Sequence, residues 1–113
     1  MNIEHLNLLR ELSRDSTLSQ RELAKGLGLS LGKVNYVVNS LVEKGLIKAE
    51  RFKNSRNKLA YMYIITPKGM AEKMKLTYKF LERKTEEYDA LKREIEKLKE
   101  DASRFSERTD EVG

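Results

Sequence analysis

Apolar residues recur along the first part of this chain at helical spacing. Ile3, Leu6, Leu9 and Leu12, with Leu8, follow Asn2, a good N-cap, and predict an amphipathic helix over residues 3–14 that Asp15-Ser16-Thr17 ends. Ser19-Gln20-Arg21-Glu22 fits a capping box, in which the serine hydroxyl accepts the N3 amide and the glutamate reaches back to the cap amide. A second helix therefore starts at Gln20, turns Leu23, Ala24 and Leu27 inward, and stops at Gly26-Leu27-Gly28. Ser30 caps a third helix, which buries Val34, Val37, Val38 and Leu41 and ends at Lys44 before Gly45.

Past Gly45 the period changes. Residues 46–52 and 59–65 are extended segments, the second rich in aromatic and β-branched side chains, and residues 53–58 between them are polar and turn-prone. They predict a β-hairpin whose loop carries three cations. Thr66 and Pro67 then start a last helix. Along it Met74, Leu81, Tyr88, Ile95 and Ala102 recur every seven residues, with Leu91, Leu98 and Phe105 three positions later. This is an a/d seam, interrupted at Thr77 and Lys84. Asp89 with Arg93, and Glu100 with Arg104, lie at the i,i+4 spacing that supports an exposed helix. A helix over residues 67–101 would be roughly 50 Å long, too long to bury its stripe on a 66-residue head, so a second copy is the expected partner. The alternative for its N-terminal part is packing on the head through Met70, Met74 and Tyr78.

Charge sharpens this division. The net charge is +5 over 113 residues, and all of it falls in residues 1–66, with 11 basic against 6 acidic; residues 67–113 carry 12 of each. The apolar run of seven at residues 59–65 is far short of a membrane span. No N-terminal basic-then-apolar pattern is present and there is no cysteine, so the expected location is the cytoplasm, with no membrane contact. A single histidine and no cysteine exclude zinc clusters, thiol nucleophiles and histidine triads; no cofactor, metal site or enzymatic activity is expected. His5 itself is expected on the surface of the first helix. Gly26-Leu27-Gly28 with Gly32 follows a helix rather than a strand and lacks dinucleotide-loop spacing.

Two helices joined by a short glycine turn form a helix-turn-helix, and the added hairpin makes it a winged helix. The expected fold is mainly α with a small β-hairpin: a winged helix-turn-helix head over residues 1–66, a long coiled-coil dimerisation helix over 67–102, and a flexible tail over 103–113. Leu29 is expected to plug between the helices, which leaves Gly32, Lys33, Asn35, Tyr36 and Asn39 on the outer face of the third helix. Lys33, Asn35, Tyr36 and Asn39 suit base edges in the major groove. Arg21 and Lys25 suit phosphates beside the second helix, and Ser30 with the following amides suits a phosphate at the third helix N-terminus. Lys53, Asn54, Arg56 and Lys58 form the wing, with Arg56 aimed at a minor groove. Tyr61, Tyr63 and Tyr88 read as core or seam residues.

Leu18-Ser19-Gln20-Arg21-Glu22-Leu23-Ala24, Leu41-Val42-Glu43-Lys44-Gly45-Leu46-Ile47 and Tyr63-Ile64-Ile65-Thr66-Pro67-Lys68-Gly69 resemble the winged-helix core of MarR-type transcriptional regulators. Ser30-Leu31-Gly32-Lys33-Val34-Asn35-Tyr36 and Phe52-Lys53-Asn54-Ser55-Arg56-Asn57-Lys58 resemble the short subgroup associated with exopolysaccharide gene clusters. The resemblance spans roughly residues 3–100. It departs from the wider family in lacking the Asp-x-Arg element of the wing and the extra helices of the dimerisation domain. It implies a regulator of transcription that binds double-stranded DNA, with an effector left unspecified; the a/d seam supplies the expected homodimer contacts at Leu81, Tyr88, Leu91, Ile95 and Leu98, and two-fold symmetry then predicts a palindromic operator. The competing reading is a winged helix used for protein-protein contact, docking a partner through its coiled-coil helix; its recognition face would be apolar.

Overall fold

The computed structural model describes residues 1–112, with side chains through Arg108. Its order is α1 (Ile3–Arg14), α2 (Gln20–Leu27), α3 (Leu31–Glu43), β1 (Ile47–Lys53), β2 (Leu59–Ile65) and α4 (Pro67–Val112). Two compact units divide the chain: one is Met1–Tyr78, the other begins at Lys79. The first therefore reaches beyond Thr66, where the sequence pattern changes, and includes the opening turns of α4.

Each head helix starts on a side-chain cap. Asn2 accepts from the amides of Glu4 and His5, Ser19 from Glu22, and Ser30 from Lys33. The capping box expected at Ser19 is half formed. Its Oγ accepts the Glu22 amide at 3.1 Å, but the Glu22 carboxylate takes the serine hydroxyl proton at 3.2 Å instead of reaching the cap amide. A reciprocal box forms instead at Asn2 and His5. Gly28 closes α2 at φ 66°, and Gly45 follows α3 at φ 70°; both are left-handed, which costs glycine little.

Leu8, Leu9, Leu23, Val34, Val37, Val38 and Leu41 are fully buried and form the centre of the core, as their helical spacing predicts. Leu46, Ile47 and Tyr63 are buried too, and α1 packs on α3 and β2. Leu27 and Leu29 are only half-buried, so Leu29 is less of a plug than expected.

β1 and β2 pair antiparallel from Ile47 opposite Ile65 to Lys53 opposite Leu59. The amide of Tyr63 also donates to the Ser16 carbonyl at 3.0 Å, tying β2 to the loop before α2. Thr66 then fixes the start of α4. Its amide donates to the Leu46 carbonyl at 3.0 Å, and its hydroxyl donates to the Gly45 carbonyl at 2.6 Å while accepting the Gly69 amide at 3.0 Å. In the opening turns Met70, Met74 and Tyr78 stay exposed while Leu76 is buried, so packing through the former three is corrected: the helix rotates Leu76 inward.

The sequence reading ends this helix near residue 102, whereas α4 runs on to Val112. Ala102, Arg104, Glu107 and Arg108 are ordinary helix residues, and neither proline nor glycine interrupts them. Gly113, the last residue of the expected tail, lies outside the described residues.

His5 is the other correction, being 7% exposed rather than on the surface. Its Nδ1 lies 3.3 Å from the Asn2 amide nitrogen and 2.7 Å from Asn2 Oδ1, so either neutral tautomer finds a partner. Burial, then the positive N-terminus and Lys44, hold the imidazole pKa below the ordinary 6.5. The unfolded chain thus binds the proton at higher pH than the folded one. Stability from this site is full above pH 6.5 and is lost as pH falls through the folded imidazole's lower pKa. Thermal unfolding measured from pH 7.5 downward is expected to fall in this window for the wild type. His5→Gln, which keeps a capping side chain at N3, should flatten that slope; an unchanged slope would place the titrating group elsewhere.

Candidate nucleic-acid interface

The candidate residues lie on three parts of the head. Arg21 and Lys25 are exposed on α2. Gly32, Asn35, Tyr36 and Asn39 are exposed along α3, Tyr36 at 64%. A Cβ built at Gly32 meets nothing within 4 Å, so packing does not require glycine there. The missing side chain leaves the first turn of α3 open to a partner.

The starts of α2 and α3 come together in a cleft of about 620 Å³ lined by Ser19, Gln20, Arg21, Leu31, Gly32 and Asn35. Two helix N-termini thus flank it, each with amides that favour an anion. Ser30 stands at one of them, its Oγ accepting the Lys33 amide at 3.1 Å, which leaves the hydroxyl proton for another acceptor. A smaller cleft of about 360 Å³ continues along α3 past Tyr36 and Asn39 to Glu43.

Lys33 departs from the outward position expected of it. Half-buried, it lies toward α1, with Nζ 3.1 Å from Oε2 of Glu4 and 5.5 Å from the centre of the Tyr36 ring. The Glu4 oxygen is screened from solvent and has no aligned hydrogen bond, so charge rather than geometry satisfies it.

The hairpin loop is a small self-supporting turn. Oδ1 of Asn54 accepts from the amides of Arg56 at 3.0 Å and Lys58 at 3.1 Å, and the Asn54 amide donates to the Lys58 carbonyl at 2.9 Å. Asn54 is therefore occupied in shaping the loop. Lys53, Arg56 and Lys58 are exposed around it. Asn57 sits at φ 59°, a left-handed conformation that asparagine tolerates better than most residues. A third cleft, about 650 Å³, separates the start of α2 from the hairpin and is floored by Phe52, Tyr61 and Tyr63.

Residues 1–48 match a family model described as winged helix-turn-helix DNA-binding. The fold is a winged helix-turn-helix. Among solved structures, the winged helix resembles the PcaV transcriptional regulator of Streptomyces coelicolor, solved with its natural ligand, at 18% identity and a TM-score of 0.61. That match covers 73% of this chain, and the chain spans 57% of the regulator's length. MepR of Staphylococcus aureus, solved in complex with DNA, matches at 23% identity and a TM-score of 0.59, covering 74% of this chain and 59% of MepR. A MarR/EmrR family regulator from Acinetobacter sp. ADP1 matches at 24% identity and 0.58, covering 92% and 78% respectively. No curated protein matches the sequence. The winged helix is thus of the form seen in MarR-type regulators.

In the second unit, Leu81, Tyr88, Leu91, Ile95 and Leu98 are 43–65% exposed. Tyr88, Leu91 and Ile95 line a shallow depression of about 200 Å³ with Lys92, Glu96 and Lys99 on its margin. Among the described residues no group of three His, Cys, Asp or Glu side chains is placed to hold a metal, and no helix is long and apolar enough to cross a membrane.

Sequence reasoning missed three residues of the head surface. Gln20 read only as the first residue of α2, yet its side chain bridges α3 and β2. Leu31 is 45% exposed beside Gly32, an apolar group at the mouth of the cleft. Asn57 was legible only as part of a turn-prone stretch; its positive φ could have been suggested by its residue type.

Proposed function

We propose that this chain is a homodimeric, sequence-specific DNA-binding regulator of transcription. The observation that carries the reading is the exposed Gly32, Asn35, Tyr36 and Asn39 face of α3, set beside two capped helix N-termini and a cationic hairpin. DNA meets these groups with closely spaced phosphates and with base edges that asparagine and lysine recognise.

In this reading Arg21, Lys25 and Ser30 hold backbone phosphates, and Lys33, Asn35, Tyr36 and Asn39 enter the major groove. Lys53, Arg56 and Lys58 follow an adjacent minor groove, while Asn54 keeps the loop in shape. A relative of the same fold solved on DNA supports this arrangement. Leu81, Tyr88, Leu91, Ile95 and Leu98 pair with a second copy, and two-fold symmetry calls for a palindromic operator. The motifs over residues 30–36 and 52–58 make exopolysaccharide gene clusters the first place to seek that operator.

The test is binding to a palindromic fragment from upstream of the chain's own operon, measured across salt. Log K should fall linearly with log salt, by about 0.9 for every phosphate neutralised, and a scrambled fragment should bind more weakly. Weak binding that ignores both sequence and salt would overturn the reading and leave protein-protein contact as the use of the winged helix.

A further inference from the structure

A line of hydrogen bonds crosses the head surface from the recognition helix to the wing. Nδ2 of Asn39 donates to Oδ1 of Asn35 at 3.2 Å, and Nδ2 of Asn35 donates to Oε1 of Gln20 at 3.2 Å. Nε2 of Gln20 then donates to the Tyr63 hydroxyl at 3.1 Å. Three elements are joined: α3, α2 and β2. Beyond Tyr63 the contacts continue into the hairpin. Its ring stacks on Tyr61 at 6.4 Å, and Arg51 on β1 donates to the Tyr61 hydroxyl at 3.2 Å while lying 5.5 Å over that ring.

An amide has one accepting end and one donating end, so a chain of amides has a direction. Here Asn35 and Gln20 are engaged at both ends. Reversing Asn35 alone would set donor against donor and acceptor against acceptor, and reversing Gln20 alone would set donor against donor at Asn35. The direction seen leaves Oδ1 of Asn39 as its unengaged end among the described residues, ready to accept from an adenine or cytosine amino group. The opposite direction would engage Oδ1 of Asn39 with Asn35 and leave Asn39 only N–H groups to offer a base. Tyr63 accepts from Nε2 of Gln20 here, and losing its hydroxyl would leave that end of the chain unheld. Gln20 transmits whichever sense is set.

We propose that Gln20 is a specificity-positioning residue: it couples the amide direction of Asn35 and Asn39 on the recognition helix to Tyr63 in the wing. Base readout in the major groove and the geometry of the wing are then set together rather than independently. The proposal rests on the DNA-binding reading above. It adds a residue that touches no base and yet helps decide which base is preferred.

Tyr63→Phe is the discriminating variant, because it keeps the buried ring and removes only the end of the chain. Bound sequences are selected from a randomised double-stranded pool, and discrimination is taken as the affinity ratio of the preferred base to the next at each position. For Tyr63→Phe this ratio is expected to fall roughly three- to tenfold at the base pairs read by α3, the range one neutral hydrogen bond supports. The salt slope should stay unchanged. Gln20→Leu should lose the same discrimination. Gln20→Glu should keep it at lower overall affinity, since a carboxylate accepts from Asn35 and from the Tyr63 hydroxyl and so preserves the direction. In an Asn35→Ala background Tyr63→Phe should have no further effect.

Unchanged discrimination in Tyr63→Phe would overturn the proposal, as would an undiminished loss in the Asn35→Ala background. A wild-type chain that binds its operator with a normal salt slope while these variants behave additively would remove the coupling and leave the DNA-binding reading standing. A wild-type chain that enriches no sequence would remove both.

Discussion

Gly69→Ala is expected to lower the thermal unfolding midpoint of the first unit by about 12–24 °C, from a loss of about 3 kcal/mol in a unit of this size. Helix propensity alone predicts the opposite sign, because alanine in a helix is favoured over glycine by up to about 1 kcal/mol. The packing decides. A Cβ at Gly69 would lie 1.9 Å from the Leu46 carbonyl oxygen and 2.8 Å from Cγ2 of Ile65. The carbonyl cannot easily retreat, since it accepts the Thr66 amide at 3.0 Å, and the Gly69 amide is itself held by the Thr66 hydroxyl at 3.0 Å. Moving α4 away breaks its cap; moving the Gly45–Leu46 turn breaks the bond that starts β1. Differential scanning calorimetry measures the result, and an unchanged or raised midpoint would show that the close approach is not maintained in solution.

The second large effect concerns the second unit. Leu91→Asp combined with Ile95→Asp places two carboxylates in the middle of the exposed apolar stripe and is expected to give a monomer by sedimentation. Operator affinity should then fall by 10²-fold or more, because two linked heads gain about 10²–10⁴ over one through effective concentration. The head itself should keep its helical signal and its melting transition. A wild-type chain already monomeric at concentrations that bind operator, or a double variant still dimeric, would contradict the role given to Leu91 and Ile95.

Helices α1 to α3 were legible because burial repeats at their natural period and because Asn2, Ser19 and Ser30 announce each start. β2 was legible for a similar reason, being a run of strand-forming residues between turn signals. His5 was not. A lone histidine at N3 looks like any polar surface residue until the fold buries it beside the Asn2 cap. The long helix hid its end because neither a glycine nor a proline marks a stop before residue 113. At the candidate site the exposed positions of α3 followed from helical spacing. The contacts of Lys33 with Glu4, and of Gln20 with Asn35 and Tyr63, did not, because they join residues 15 to 43 positions apart, with no local pattern to record them.

The pairing of Lys33 with Glu4 also bears on how the chain would exchange ions with DNA. A lysine in water brings a loosely held anion, and contact with a phosphate makes that nearby phosphate shed a condensed cation into solution. Lys33 instead already carries a fixed counterion supplied by α1, 3.1 Å away. When such a residue turns to DNA it trades a carboxylate for a phosphate, and the carboxylate stays behind, able to take up a cation of its own. Part of the salt response is thereby internal to the protein. The measured slope should then be shallower than the number of basic residues at the interface would suggest, by up to about one contact's worth.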